Sequence, residues 1–156
     1  MNYKEIPITD EQLKYAREIS KEIHERRKKD YNNKGSNAKQ NPRKEDFKGF
    51  LAETVFADVW GLDRPEPEDD IDKGYDFKMD GTKYQIKGTT YIDGDLILFK
   101  DDIEKDWDIL IHIELDLSKP RTARIYNSIS KDDFKEKMKT KDYGYGERYS
   151  VGSDDL

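Results

Sequence analysis

Apolar and polar positions alternate most clearly between residues 74 and 87. Tyr75, Phe77 and Met79, then Tyr84 and Ile86, interleave with Asp76, Lys78, Lys83, Gln85 and Lys87 about an Asp80-Gly81 pair. A period of two on both sides of Asp-Gly predicts a β-hairpin with a two-residue turn, because a type I′ turn needs positive φ at both central residues. Counting back from the turn pairs Met79 with Thr82, Phe77 with Tyr84 and Asp76 with Gln85. Asp76, Gln85 and Lys87 then share one face, while Tyr75, Phe77, Met79, Tyr84 and Ile86 line the other.

Around the hairpin the pattern predicts helix, helix, strands, helix. Thr9 with Gln12 forms a capping box and Ile8 with Leu13 a hydrophobic staple, so a helix runs from about residue 10 to 29, with Leu13, Ala16, Ile19 and Ile23 as its apolar stripe. Asn41 as N-cap and Pro42 at the first helical position open a second helix, and Gly61 ends it. Leu96–Phe99, Trp107–Leu115 and Thr122–Tyr126 read as strands, with Trp107, Ile109, Ile111, Ile113 and Leu115 on one face of the second. Ser130 caps a last helix, with Ile129 and Phe134 in staple positions. The 156 residues read as a single domain, 1–156, comprising a basic helix and loop (10–41), a core (42–139) and a Gly- and Tyr-rich C-terminal tail (140–156).

Composition narrows the chemistry. Charged residues are 41% of the chain, against an average of about 25%, so the core is small and the surface heavily charged. No cysteine is present, which excludes disulfides and thiolate zinc sites, and two histidines leave little for an all-imidazole site. Any metal is therefore bound by oxygen. No apolar run approaches a membrane span and no signal-peptide stretch follows Met1, so a soluble, cytoplasmic protein with no membrane partner is expected.

The net charge of −6 is uneven: residues 21–48 carry ten Lys/Arg against five Asp/Glu. Arg26, Arg27, Lys28, Lys29, Lys34, Lys39 and Arg43 form either a basic arm for a polyanion or a solvated helix end and loop. In the second helix Phe47, Phe50, Leu51, Ala52, Val55, Phe56, Ala57, Val59 and Trp60 spread almost all round, which marks a helix buried on most sides. Glu53 lies inside that apolar surface, where a carboxylate is costly unless it is paired or binds a metal. A salt bridge to a Lys or Arg would satisfy it equally. Asp70 to Asp76 has a calcium-loop look, but the EF-hand positions for Gly and Glu fall on Tyr75 and Gly81.

Gly49-Phe50-Leu51-Ala52-Glu53 on a helix, Gly74-Tyr75-Asp76 on a strand and Gln85-Ile86-Lys87 on its hairpin partner resemble the PD-(D/E)XK nuclease superfamily. The motifs cover about residues 42–90, and the later strands and last helix follow that family's order of helix, three strands, helix, strand. The resemblance implies an α/β, three-layer restriction endonuclease-like core with a central mixed β-sheet flanked by helices. It also implies a Mg²⁺- or Mn²⁺-dependent DNA endonuclease, in which Glu53, Asp76, Gln85 and the Ile86 carbonyl hold the metal and Glu53, Asp76, Gln85 and Lys87 carry the catalysis. Cutting both strands of a duplex with one site per chain asks for a homodimer. Tyr75 replaces the family's proline, which carries no chemistry. Gln85 replaces its second acidic residue, so coordination there lacks formal charge and metal affinity falls. The alternative is a catalytically inactive nucleic-acid-binding or assembly protein with the same fold. A wet face on an amphipathic strand pair explains the alternation alone, but not a buried Glu53 nearby.

Overall fold

A computed structural model describes residues 2–34, 42–67 and 73–156, without the side chains of 27–34 and 42–46. The chain runs through β1 (Tyr3–Pro7), α1 (Asp10–Lys34), α2 (Pro42–Trp60), β2 (Phe77–Met79), β3 (Thr82–Thr89) and β4 (Leu96–Leu98). A 3-10 turn at Lys100–Glu104 leads to β5 (Ile109–Asp116), β6 (Thr122–Tyr126), β7 (Ile129–Ser130), α3 (Lys131–Lys137), β8 (Lys139–Asp142) and β9 (Glu147–Val151). The main sheet has the order β1-β6-β5-β3-β2, with β7 on the end of β5, and β4-β9-β8 form a second sheet. β3 and β5 are parallel and the other pairs antiparallel, so the fold is α/β with a mixed sheet.

The local signals act as their chemistry dictates. Thr9 N–H donates to Gln12 Oε1 at 2.9 Å and Gln12 N–H to Thr9 Oγ1 at 3.1 Å, a complete capping box, while Ile8 and Leu13 are both buried. Leu62 N–H bonds the Ala57 carbonyl at 2.8 Å across Gly61, which closes the last turn of α2. Asp80 and Gly81 take φ of 50° and 83°, and the hairpin register pairs Met79 with Thr82 and Phe77 with Tyr84. Asp133 N–H donates to Ser130 Oγ at 3.1 Å to start α3. Asn41 lies outside the described residues. α1 extends to Lys34, five residues beyond the expected end.

Two cores lie on opposite faces of the main sheet. On one, α1 and α2 cover Ile86, Ile111, Ile113, Leu115 and Ala123, with Phe77, Met79 and Tyr84 packed against the margin. On the other, Leu110, Trp107 and Ile129 meet Leu96, Leu98 and Val151 of the second sheet and Phe134 of α3. That face is thus covered by a second sheet and one short helix, not by a full helical layer, and β4 belongs to that covering sheet. The tail from residue 140 is equally part of it: β9 lies between β4 and β8 and buries Val151.

Two expected placements are corrected, and one strand lies where none was expected. Tyr75 packs in the second core rather than beside Phe77. The alternation stops at Phe77 because Asp76 N–H reaches the Tyr84 carbonyl and its carboxylate takes the Ile86 N–H, so the preceding chain leaves the ladder. Trp107 likewise belongs to the second core, since β5 begins only at Ile109 and the indole Nε1 donates to the Asp102 carbonyl at 2.7 Å. Tyr3–Pro7 is a strand that the pattern misses. It holds little apolar surface and ends in proline, which is tolerated at this edge of the sheet. Among the described residues no helix is long and apolar enough to cross a membrane.

α2 crosses β3 at Gly88. A Cβ there would lie 2.6 Å from the Ala52 Cβ and 3.0 Å from the Lys48 carbonyl oxygen, so only a hydrogen fits. Gly88→Ala should lower stability to urea by about 1–3 kcal/mol through overpacking. Ala52→Gly in the same chain should recover part of the loss, and a neutral single variant would show that the helix can lift off the strand.

Candidate functional site

β2 is three residues long and β3 eight, so beyond Tyr84 the margin of β3 has no strand partner on the β2 side. Asp76 occupies this gap. Its N–H donates to the Tyr84 carbonyl at 2.8 Å, and its Oδ2 accepts the Ile86 N–H at 2.7 Å. The carboxylate therefore replaces a ladder acceptor and is locked against the strand. Alternate residues of a strand turn both backbone groups to the same side, so the Ile86 carbonyl also faces this margin. The pairing of Asp76 with Gln85 expected from the turn is therefore corrected: the paired register ends at Phe77 with Tyr84, and Asp76 is tied instead to the residues on either side of Gln85.

Glu53 reaches the same region from above. Ala52 sits over Gly88, and the Phe56 ring lies 5.3 Å from Phe77 and 6.2 Å from Tyr84, so α2 runs antiparallel to β3. Glu53 is therefore held at the level of Gln85 to Gly88 along the strand. It is half-buried, less enclosed than its apolar neighbours imply, whereas Leu51, Ala52, Val55 and Phe56 are fully buried. α2 packs on the face of Ile86, while Gln85 and Lys87 project from the opposite one. The open margin of β3 is where groups from the two faces can meet.

Lys87 is committed to a partner that spacing did not reveal. Its Nζ lies 3.3 Å from Asp102 Oδ2. Asp102 is buried, accepts the Phe99 N–H at 2.9 Å, and has Lys105 Nζ 3.2 Å from its other oxygen. A buried carboxylate ringed by two ammonium groups and an N–H is satisfied, and it fixes the direction in which Lys87 points.

The polar face continues inward from Lys87. In the parallel register Lys87 lies beside His112 and Thr89 beside Glu114, and both β5 residues are buried. Tyr126 Oη donates to Glu114 Oε1 at 2.7 Å, with Arg124 Nη1 3.7 Å from the same oxygen. His112 Nε2 faces Glu114 Oε2 at 3.5 Å, and neither atom has a well-formed hydrogen bond among the described residues. Burial pushes the Glu114 carboxyl up, but His112, the Tyr126 hydroxyl and the Asp93 backbone together hold it below its usual range. Burial and the Glu114 carboxylate push Tyr126 up to about 12. In the sequence, His112 and Glu114 look like the alternate positions of a strand with one wet face. Tyr126 and Arg124 of β6 close over the pair: the Tyr126 ring lies 5.1 Å from that of His112, and its hydroxyl bonds Glu114.

Other expected site residues are dispersed or lie outside the description. Arg26 pairs with Glu22 at 2.9 Å on the exposed face of α1, as a solvated helix would. Arg27, Lys28, Lys29 and Lys34 have their backbone in α1, but their side chains, with that of Arg43, lie outside the described residues, as does the whole of Lys39. Among the described residues no three His, Cys, Asp or Glu side chains are grouped to hold a metal ion. The donor set that the resemblance implies is two carboxylates, Glu53 and Asp76, with the amide of Gln85 and the Ile86 carbonyl. Such all-oxygen donors with few carboxylates suit a hard, hydrated cation such as Mg²⁺ rather than zinc. No protein-family model, curated protein or solved structure matches the chain.

The lowered Glu114 carboxyl has a defined sign in the pH dependence of stability. A carboxyl with a depressed folded-state pKa contributes stability above its unfolded value, lost as pH falls through the folded one. Unfolding free energies measured at about pH 6 and pH 3.5, across the ordinary glutamate range, should fall less in Glu114→Gln than in the wild type. Equal falls would mean that Glu114 adds nothing to acid sensitivity.

Proposed function

We propose that the chain is a metal-dependent DNA endonuclease with a restriction endonuclease-like core. The observation that carries this reading is the open margin of β3, where Asp76 is locked beside Gln85 and the Ile86 carbonyl at the level of Glu53. The helix that precedes the hairpin and the parallel return of β5 beside β3 support it further. Glu53, Asp76, the Gln85 amide and the Ile86 carbonyl would hold the ion. When bound, a divalent ion activates water and neutralises charge on the phosphate.

The chain's own residues have separable tasks. Asp76 orients the oxygen donors because its second tie, to the Ile86 N–H, stops the carboxylate from rotating. Lys87 stabilises the added charge on the phosphate as a point charge, and Asp102 aims it. Gln85 supplies an oxygen without charge. A second reading, a DNA-binding protein that keeps this fold without hydrolysis, is favoured by two features of the same site: position 85 lacks a carboxylate, and Lys87 is already engaged by Asp102.

Nicking of a supercoiled plasmid with and without Mg²⁺ separates the two readings, since a binding protein would only retard the DNA. Asp76→Asn and Glu53→Gln should each reduce Mg²⁺-dependent nicking by at least a hundredfold with little loss of fold. Asparagine is the better choice at 76 because its amide oxygen can still accept the Ile86 N–H. Nicking at the wild-type rate by either variant would remove the metal-site assignment.

Gln85→Glu should tighten Mg²⁺ or Mn²⁺ binding, since it places a second carboxylate beside Asp76. Without metal the same change should cost stability by like-charge repulsion, and added metal should restore it. A calorimetric titration that shows no shift in affinity would take Gln85 out of the ligand set.

A further inference from the structure

The second sheet carries an aromatic and cationic patch on its outer face. Tyr149 and Val151 of β9 turn into the second core, so Arg148 points the other way. Leu98 pairs with Tyr149, which brings Phe99, the next residue, opposite Arg148; Lys141 of β8 pairs with Arg148 on its other side. The Arg148 guanidinium carbon lies 4.4 Å from the centroid of the Phe99 ring and 5.2 Å from that of Tyr145. Both rings are largely exposed, at 59% and 65%. Tyr143 stacks on Tyr145 with centroids 6.4 Å apart and planes 21° apart, and its hydroxyl is anchored on Asp95 at 2.6 Å.

Two features of this patch are unfavourable for the isolated chain. Lys141 and Arg148 are like charges directly opposed across two strands, which is destabilising. Arg148 is held only by the backbone carbonyls of Glu147 and Tyr145, at 3.0 and 3.3 Å, and among the described residues no carboxylate pairs with it. Lys141 Nζ lies 3.6 Å from Asp95 Oδ2 and 5.0 Å from the centroid of the Tyr143 ring. Gly146 leaves room for this arrangement, since a Cβ there would come 3.1 Å from Arg148 Nη1. Exposed rings flanking a guanidinium without a counter-ion match the chemistry of a base and its phosphate.

The patch is also joined to the candidate site. The Phe99 N–H donates to the same Asp102 oxygen that meets Lys87 Nζ. We propose that the row Phe99, Arg148 and Lys141, with Tyr145, is a platform for single-stranded DNA, its bases stacking on Phe99 and Tyr145 and its phosphates on Arg148 and Lys141. The choice of DNA rests on the nuclease reading, and the platform assigns that site an unpaired strand as substrate.

The test is fluorescence anisotropy of a labelled oligothymidylate in EDTA, where no cleavage occurs, using the full chain with and without a competing duplex. Wild-type protein should bind the single strand in preference to duplex. Phe99→Ala and Tyr145→Ala should each weaken binding roughly five- to hundredfold, Tyr145→Phe should keep it, and Arg148→Ala should flatten its salt dependence. All four replace exposed or half-exposed side chains, and thermal melts check that the fold is retained. Preference for duplex, or unchanged affinity in both alanine variants of the aromatic residues, would overturn the platform. So would a dimer in sedimentation that is lost in Tyr145→Ala, because the patch would then belong to a second copy. Single-strand binding by a wild-type protein that never nicks DNA would sink the nuclease reading and leave the platform standing. Metal-dependent nicking unaffected by the platform variants would do the reverse.

Discussion

The candidate site depends on the early end of one strand. A β-sheet margin must satisfy its N–H and C=O groups, and β2 stops where β3 still has five residues to run. The Asp76 carboxylate takes over the duty of the missing strand by accepting the Ile86 N–H. That single substitution of side chain for backbone brings a charged oxygen to the sheet margin, and it keeps the margin open to α2 above and to Gln85 and Lys87 below. A longer β2 would have sealed the ladder and buried the gap. The close seat of α2 on Gly88 sets the height of Glu53 over the same opening.

The two faces of the main sheet solve different problems. One is an ordinary apolar interface with α1 and α2. The other carries buried polar groups: Asp102 of the turn that leads to β5, and His112 and Glu114 of β5 itself. Each buried carboxylate is answered by more than one donor: Lys87, Lys105 and Phe99 for Asp102, and Tyr126 and Arg124, both of β6, for Glu114. Removing one partner of such a group leaves the other desolvated, which costs more than the pair contributes net. The Asp102 cluster therefore ties the end of β4 to β3, through the Phe99 N–H and Lys87.

What the sequence disclosed was local. The hairpin register from Met79–Thr82 back to Phe77–Tyr84, the Thr9 capping box, the Gly61 terminus and the Ser130 cap are settled within a few residues of each signal, and they stand in the structure as read. What it concealed was decided at long range. Leu96–Leu98 has a strand's pattern, but pattern does not say which sheet it joins; that depends on residues 149–151. Trp107 reads as one more apolar position in a period of two, and its true side follows from a bond to Asp102. Asp102 itself, in an acidic stretch, carries no sign that it would be buried against Lys87, fifteen positions before it. Of the candidate site, the closeness of Asp76 to Gln85 was legible from the turn, whereas the side-chain tie that replaces their pairing, the aim of Lys87 and the buried His112–Glu114 pair were not.

The strand β1 has a consequence for how the molecule comes to exist. Tyr3–Pro7 finds its partner in residues 122–126, and Asn2 Nδ2 donates to the Ser153 carbonyl at 2.6 Å. On the ribosome the hairpin can close within microseconds of its emergence, since its contacts are local. β1 must wait, unpaired, until β6 has been made. Non-local pairings of this kind slow folding, and while they are pending they leave strand margins exposed to other chains. The charged, proline-ended character of this segment, which hides it as a strand, also keeps it from sticking to the wrong partner during that interval.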